Sequence, residues 1–155
     1  MMLALIRRID GLFTLVPEAA LLLFVRVVSA HVFWASGRSK IVEGSWFSLR
    51  PEIIDQFRDD FHTPVPELFA PLAATMEHLL PILLVAGLFS RFAALGLVGM
   101  TLFIQIFVFP DAWWTMHSLW LGLLLVIVVR GGGAWSLDRW VMGSKAMHKT
   151  TGLAA

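Results

Sequence analysis

The chain has 155 residues, of which 58% are hydrophobic and 15% are charged. Ordinary soluble domains are roughly 45–50% apolar and about 25% charged, and a soluble protein of this length has too little interior to bury so much apolar surface. The 12 basic and 11 acidic residues nearly cancel, and cysteine is absent. Composition therefore excludes a nucleic-acid binder and any thiolate metal site, and it favours a small polytopic membrane protein with one domain over residues 1–155.

A helix needs about 20 mostly apolar residues to cross the hydrocarbon core of a bilayer. Four segments meet this requirement in chain order: residues 17–41, 66–89, 91–110 and 112–130. Pro17 and Pro66, each followed by glutamate, suit helix starts, and the glycines at 131–133 suit a helix end. We therefore predict an all-α fold, an antiparallel bundle of four transmembrane helices. Acidic residues and Pro17 interrupt the pattern of a signal peptide, so we expect no cleavage.

Three other segments are amphipathic. Residues 2–13 and 134–142 combine arginine with apolar side chains and are predicted to lie along the headgroups. In the long acidic loop of residues 43–65, Ile53, Ile54, Phe57 and Phe61 recur at helical spacing. We predict a short helix here that lies flat over one mouth of the bundle.

The distribution of basic residues predicts the orientation. Seven Lys and Arg residues lie on the side of both chain ends and of the link at Ser90 and Arg91, against four on the side of loop 43–65. Cytoplasmic segments carry the excess of basic residues. We expect both termini and the tail 131–155 in the cytoplasm, with the acidic loop outside.

Two opposite charges fall near the middle of the predicted spans. Counted at 1.5 Å per residue, Arg26 lies roughly 13 Å from the start of the first span, and Glu77 lies roughly 16 Å from the start of the second. A lone charge at such a depth costs at least ~2.5–3.5 kcal/mol. We therefore predict an Arg26–Glu77 ion pair, which is either a structural clasp or a catalytic or proton-handling site.

A second polar set is predicted in the outer half of the bundle. It is a polar chamber lined by His31, His78, Gln105 and His117, with Trp113 and Trp120 as aromatic walls. Neutral donors and aromatic walls suit a quinone, and imidazoles also bind copper or zinc. A metal at His31, His78 and His117 is thus one alternative, with Met76, Met100 and Met116 as further soft ligands. The structural alternative is that the histidines and Gln105 form interhelical hydrogen bonds and that Trp34, Trp46, Trp113 and Trp114 form an aromatic belt.

The chain resembles the DoxX family of small bacterial four-helix membrane proteins over residues 22–140. The resemblance rests on Arg26, on Phe33, Gly37 and Lys40, on the Pro-Glu start and Glu77 of the second span, on GLFSRFAALGL (87–97), on MTLFIQIFVFPDAW (100–113), on His117 and on SLDRW (136–140). It implies a bacterial inner-membrane location and marks Arg26, Glu77, Gln105 and His117 as the carried-over polar positions. Some members are subunits of a thiosulfate:quinone oxidoreductase, and others accompany redox-defence or copper-peptide systems.

Two functions follow as hypotheses. The first is a redox subunit that binds a quinone-like ligand and receives a soluble protein partner at loop 43–65. The second is a non-enzymatic accessory in copper stress or in maturation of a metal-binding peptide. A transporter-like passage ranks last because four helices leave little room for alternating access. A second copy of the chain is a further candidate partner.

Overall fold

A computed structural model of the chain describes residue 11 and residues 15–141, and the structure below refers to that part. The predicted interfacial segment 2–13 and the end of the tail therefore lie outside the described residues, apart from Gly11. The helices are α1 (Glu18–Lys40), α2 (Pro51–Asp59), α3 (Pro66–Ala86), α4 (Ser90–Phe107) and α5 (Ser118–Arg130). A 3₁₀ turn (Pro110–Ala112) and a π-helical turn (Trp113–His117) lead into α5.

Four helical segments of the described chain are long and apolar enough to cross a membrane. They are α1, α3, α4 and the combined segment Pro110–Arg130, which confirms the all-α class and the four spans. Between 22% and 33% of each apolar stretch is buried inside the protein. The remaining apolar surface faces outward, as expected where lipid rather than water is the solvent.

The predicted helix ends agree with the structure to within a few residues. Pro66 occupies the first turn of α3 with Glu67 beside it, and the helix ends at Gly87 in the left-handed conformation. The core of the bundle lies where α1, α3, α4 and α5 meet. It consists of Val25, Ala30, Phe33, Leu84, Ala93, Ala94, Leu97, Leu124 and Ile127.

The loop 43–65 contains the predicted short helix as α2. Phe57 is buried against the bundle, whereas Glu52 and Asp55 face outward. An isolated antiparallel β-bridge between Ile41 and Leu49 closes a short loop just before α2. We call the end of the bundle that holds residues 41–65 the loop end, and the end that holds residues 87–91 and 131–140 the turn end.

Arg26 lies near the turn end and is fully buried. Its Nη1 donates hydrogen bonds to the backbone oxygens of Leu84 (3.3 Å) and Val85 (3.1 Å), and its Nη2 donates to the backbone oxygen of Trp135. A cation is favourable beside the last carbonyls of a helix because they form the negative end of the helix dipole. Arg26 therefore fastens the end of α3 to the segment that follows α5.

The segment after α5 closes the turn end. Both carboxylate oxygens of Asp138 accept backbone N–H groups, from Phe89 (2.7 Å) and Ser90 (2.8 Å), and so cap the start of α4. The Asp138 amide donates in turn to the Gly87 oxygen at 2.8 Å. The GLFSR and SLDRW stretches thus bind each other, which gives both a structural role.

Gly87 tests this arrangement. Its φ is +71°, and a Cβ placed on it would lie 2.2 Å from Nη1 of Arg26 and 2.7 Å from the backbone Cα of Ser136. Gly87→Ala should lower the free energy of unfolding by the strain of the left-handed conformation, about 1–2 kcal/mol, and by roughly 1–3 kcal/mol more because the buried guanidinium loses its carbonyls. Unfolding in detergent micelles, followed by tryptophan fluorescence, measures the loss.

Gly44→Ala is the matched control. Gly44 has φ +78° and nothing within 4 Å of the added Cβ, so this variant carries the strain without the clash. Equal losses in the two variants would contradict the close packing of Arg26 and Ser136 against Gly87.

Candidate functional site

A cavity with a volume of about 570 Å³ lies at the loop end. Its walls come from the loop-end halves of α1, α3 and α4, and α2 forms its roof. The lining residues are Ser36, Ser39 and Lys40 of α1, Ile53, Gln56 and Phe57 of α2, Phe69, Leu72, Ala73, Met76 and Glu77 of α3, Gly96, Gly99, Met100, Phe103 and Ile104 of α4, and Phe61, Val108 and Phe109 from the connections.

The α3–α4 hairpin packs closely near the turn end, and the cavity lies beyond that contact. Near the turn, the small side chains of Ala93 and Ala94 are buried in the core. At Gly96 the helices still touch, since a Cβ there would lie 2.8 Å from Cδ1 of Leu80. One turn later, a Cβ on Gly99 would meet nothing within 4 Å. The small residues of α4 therefore lie in the α3–α4 hairpin and in the cavity wall. Self-association of the chain stays a prediction.

A buried ion pair forms the polar part of the cavity wall. Nζ of Lys40 lies 2.6 Å from Oε2 and 2.9 Å from Oε1 of Glu77. The Glu77 side chain is 2% exposed and that of Lys40 is 13% exposed. Ser36 Oγ lies between them, donating to Oε1 of Glu77 at 3.2 Å and accepting from Lys40 at 3.0 Å. Glu77, which the sequence singled out, thus has three polar contacts inside an apolar cavity.

Gly37 brings α1 and α3 close enough for this pair to form. A Cβ on Gly37 would lie 3.1 Å from Cβ of Glu77 and 2.8 Å from Cε1 of His78. With a larger residue at 37 the helices would separate, and Glu77 would move away from Lys40. The sequence analysis did not select Lys40 as a site residue. The Phe33, Gly37 and Lys40 spacing in the resemblance was the one signal that could have identified it.

The predicted Arg26–Glu77 pair is wrong. Glu77 lies level with Gly37, three residues before the end of α1 but eleven residues after the start of α3. Counting depth from each helix start assumed that the two helices begin and end at the same levels. Because α3 extends past α1 at the loop end, Arg26 lies level with Leu84 and Val85 instead.

The predicted polar chamber is divided into separate groups. Gln105 and His117 do meet, with Oε1 of Gln105 2.7 Å from Nδ1 of His117, which is buried. Trp120 lies beside His117, with ring centroids 5.1 Å apart. Gln105 also donates to the Pro110 oxygen. This α4–α5 group matches the interhelical hydrogen bonds of the structural alternative, and it does not line the cavity.

The other two histidines lie along α1 and α3 on a different side. His31 is exposed in a shallow groove with Trp34 and Pro81. Nδ1 of His78 lies 2.6 Å from the Ala74 oxygen, and its ring packs edge-on against Trp34. Among residues 15–141, no three His, Cys, Asp or Glu side chains are grouped to hold a metal ion. The alternative metal site at His31, His78 and His117 is therefore not assembled.

The tryptophans near the loop end agree with an aromatic belt. Trp113 packs against Trp114, which is 85% exposed, and Trp34 packs against Trp46. The Arg38 guanidinium lies over the Trp46 ring at 5.5 Å. Large amphipathic rings of this kind are enriched where a bilayer meets water. Trp113 does not line the loop-end cavity, and its place in an aromatic belt stays a prediction.

The roof of the cavity is held at both ends. The Arg50 amide donates to the Lys40 oxygen at 3.0 Å, and Nη2 of Arg58 lies 2.6 Å from the Glu67 carboxylate at the start of α3. That hydrogen bond raises the pKa of the Arg58 guanidinium above its ordinary value. Gln56 projects into the cavity from this roof, and sequence reasoning missed it because nothing in its spacing distinguishes it from other surface polar residues.

The fold and the cavity define a four-span membrane protein with a roofed, largely apolar site. The chain belongs to the DoxX family, whose model matches residues 21–110. The match includes Arg26, Lys40, Glu77 and Gly99 and ends where the fourth span begins. An uncharacterized protein of Haemophilus influenzae is 29% identical over 132 residues, an alignment that covers 76% of this chain and 80% of the relative. No solved structure gives a significant match.

A double-mutant cycle tests the ion pair. Lys40→Met or Glu77→Leu alone should lower the free energy of unfolding by roughly 3–5 kcal/mol, because each leaves a buried charge without its partner. The double variant should recover most of that loss. Denaturant unfolding in micelles gives the coupling free energy.

Arg26→Met combined with Glu77→Leu is the control cycle. The two side chains share no contact, so their effects should add to within about 0.5 kcal/mol. Strong coupling between Arg26 and Glu77, with none between Lys40 and Glu77, would support the Arg26–Glu77 pair that the sequence predicted.

Proposed function

We propose that the protein binds a quinone-like ligand in the loop-end cavity and acts as the membrane subunit of a redox system. The observation that carries this proposal is a buried, hydrogen-bonded Lys40–Glu77 pair in the wall of an otherwise apolar cavity. Ligand sites commonly measure about 300–1,000 Å³ and combine apolar walls with a few placed polar groups. The cavity of about 570 Å³ falls in this range.

The polar groups suit a neutral head with two oxygens. Among residues 15–141, no hydrogen bond involves the side-chain amide of Gln56. Its N–H groups are therefore free to donate to a ligand carbonyl. Across the cavity, Ser36, Lys40 and Glu77 offer both donors and acceptors. A quinone presents carbonyl acceptors, and its reduced form presents hydroxyl donors, so one set of side chains serves both states.

The charge balance argues against an anionic ligand. Because Lys40 and Glu77 neutralise each other, a carboxylate or phosphate head would meet no net positive charge and would lie close to Glu77. An uncharged dicarbonyl head avoids this repulsion. Glu77 and Lys40 would take part in the proton transfers, since reduction of a quinone consumes two protons together with two electrons. The electrons would come from a redox partner protein.

The acidic face of α2 supports an outside partner with a basic surface. Glu52 and Asp55 are 74% and 65% exposed on the outward side of the roof, each paired with an arginine. Asp59 and Asp60 are also exposed at the end of α2, so this face keeps a net negative charge. The basic residues at the turn end support placing that end in the cytoplasm of the bacterial inner membrane. The resemblance also favours this proposal, because some members are subunits of a quinone-linked oxidoreductase.

The copper accessory role remains the second candidate for one reason. Met76 and Met100 both line the cavity, and thioethers are soft ligands that select Cu(I). Met76→Leu with Met100→Leu would remove both sulfurs while keeping the apolar volume. Tight Cu(I) binding that this variant loses, together with no quinone binding, would favour the accessory role.

Direct binding tests the proposal. Purified protein in lipid nanodiscs is titrated with ubiquinone-1, and quenching of tryptophan fluorescence reports the complex. The folded Lys40→Met/Glu77→Leu double variant should bind roughly 30-fold or more weakly, because hydrogen bonds to charged groups are worth about 1.5–3 kcal/mol each. Gln56→Leu should weaken binding by about tenfold, the value of one neutral hydrogen bond.

Two further variants make this result specific. Glu18→Gln with Arg130→Gln removes an exposed ion pair at the other end of the bundle, and it should leave the affinity unchanged. Gln105→Leu examines the α4–α5 group. Binding that depends on Gln105 and not on Lys40 and Glu77 would reject the loop-end cavity as the site.

A further inference from the structure

The cavity has an open side between α3 and α4. Leu72 of α3 and Phe103 of α4 both line the cavity, yet they are 46% and 42% exposed on the outside of the bundle. Gly99 lies with them, and it is exposed with open space at its Cβ position. All three belong to candidate membrane spans. The open side therefore faces lipid rather than water.

The side of the cavity toward water is covered by the roof. Phe57, on the inner side of α2, is 7% exposed. The buried Thr63 hydroxyl donates to the Phe57 backbone oxygen at 2.7 Å. The Arg58–Glu67 pair fastens the end of α2 to the start of α3. Access from water would require these contacts to break, whereas access between α3 and α4 requires no change in the helices.

We infer that the gap between α3 and α4 is a lateral portal through which the ligand enters from the bilayer, and that Gly99 determines its width. This inference rests on the proposed function and adds the class of ligand: a membrane-dissolved amphiphile with a small uncharged head and a long apolar tail. The head reaches Lys40 and Glu77, and the tail extends between Leu72 and Phe103 into the lipid.

The energetics favour this route for a long tail. Each methylene moved from an apolar medium into water costs about 0.8 kcal/mol, so a long isoprenoid chain stays in lipid. A lateral portal lets the tail remain there, and only the head exchanges lipid contacts for polar ones. A water-soluble head without a tail gains nothing from the portal.

Gly99 is a suitable position to close the portal. A side chain at Gly96 would collide with Leu80, but one at Gly99 meets open space, so the helix accepts it. Gly122 of α5 is the matched control, because it is also exposed and its added Cβ also meets nothing within 4 Å. The chain contains no cysteine, so Gly99→Cys and Gly122→Cys each introduce a unique thiol.

The experiment closes and reopens the portal on one folded protein. Each cysteine variant in nanodiscs is treated with benzyl methanethiosulfonate, and affinities are measured for bilayer-dissolved ubiquinone-10 and for tail-less ubiquinone-0. Blocking Gly99→Cys should weaken ubiquinone-10 binding at least tenfold, because the benzyl group takes the space of the bound tail. It should leave the equilibrium affinity for ubiquinone-0 within about twofold, because the bound head without a tail leaves the portal empty and can reach the site when the roof opens transiently. Removal of the benzyl group by a reductant, which is then washed out, should restore the affinity. Blocked Gly122→Cys should bind both probes normally.

Three results would overturn the portal. Unchanged ubiquinone-10 binding by blocked Gly99→Cys would show that the ligand does not pass this gap. Equal loss of both probes would show that the benzyl group fills the head site instead. Equal loss on blocking Gly122→Cys would show a non-specific effect. In each case the unmodified protein still binds quinone, so the proposed function survives. Absence of binding by the unmodified protein would reject the proposed function itself.

Discussion

The contact between α1 and α3 at Gly37 is the constraint on which the rest of the loop end depends. It brings the Glu77 carboxylate, which is 2% exposed, within 2.6 Å of the Lys40 ammonium, so the buried negative charge has a partner. The pair then becomes the polar wall of the cavity. The same two residues therefore neutralise each other's charge and, in the proposed function, would also form hydrogen bonds to the ligand. Neither role requires Arg26, the partner that the sequence predicted for Glu77.

The turn end is organised by a different cation. Arg26 ties the carbonyls at the end of α3 to the segment after α5, while Asp138 caps the start of α4. This lock holds the α3–α4 hairpin closed at one end. Beyond Gly96, the same two helices line the cavity and the inferred portal. The hairpin is thus closed at the turn end and borders the proposed site at the loop end.

Prediction from sequence succeeded where a residue's role depends on its own helix. The four spans, the proline starts, the glycine ends and the short helix over the mouth all follow from local hydropathy, capping and spacing. Prediction of the site was mixed. Glu77 was identified because a buried carboxylate is costly, and Gln105 with His117 was identified as a group. Arg26 was assigned to the wrong partner, and His31 and His78 were joined to a chamber in which the structure does not place them.

The sequence by itself determined the membrane class, the number of spans and the buried charges that must find partners, because these depend on transfer free energies of single segments and side chains. Only the tertiary structure decided which charges meet. The stagger of α3 against α1 and the rotation of each helix about its axis are set by close packing at Gly37 and by the lock at Gly87, and these are contacts between distant parts of the chain. A shift of α3 by two turns exchanges the partners of Glu77 without changing any hydropathy pattern.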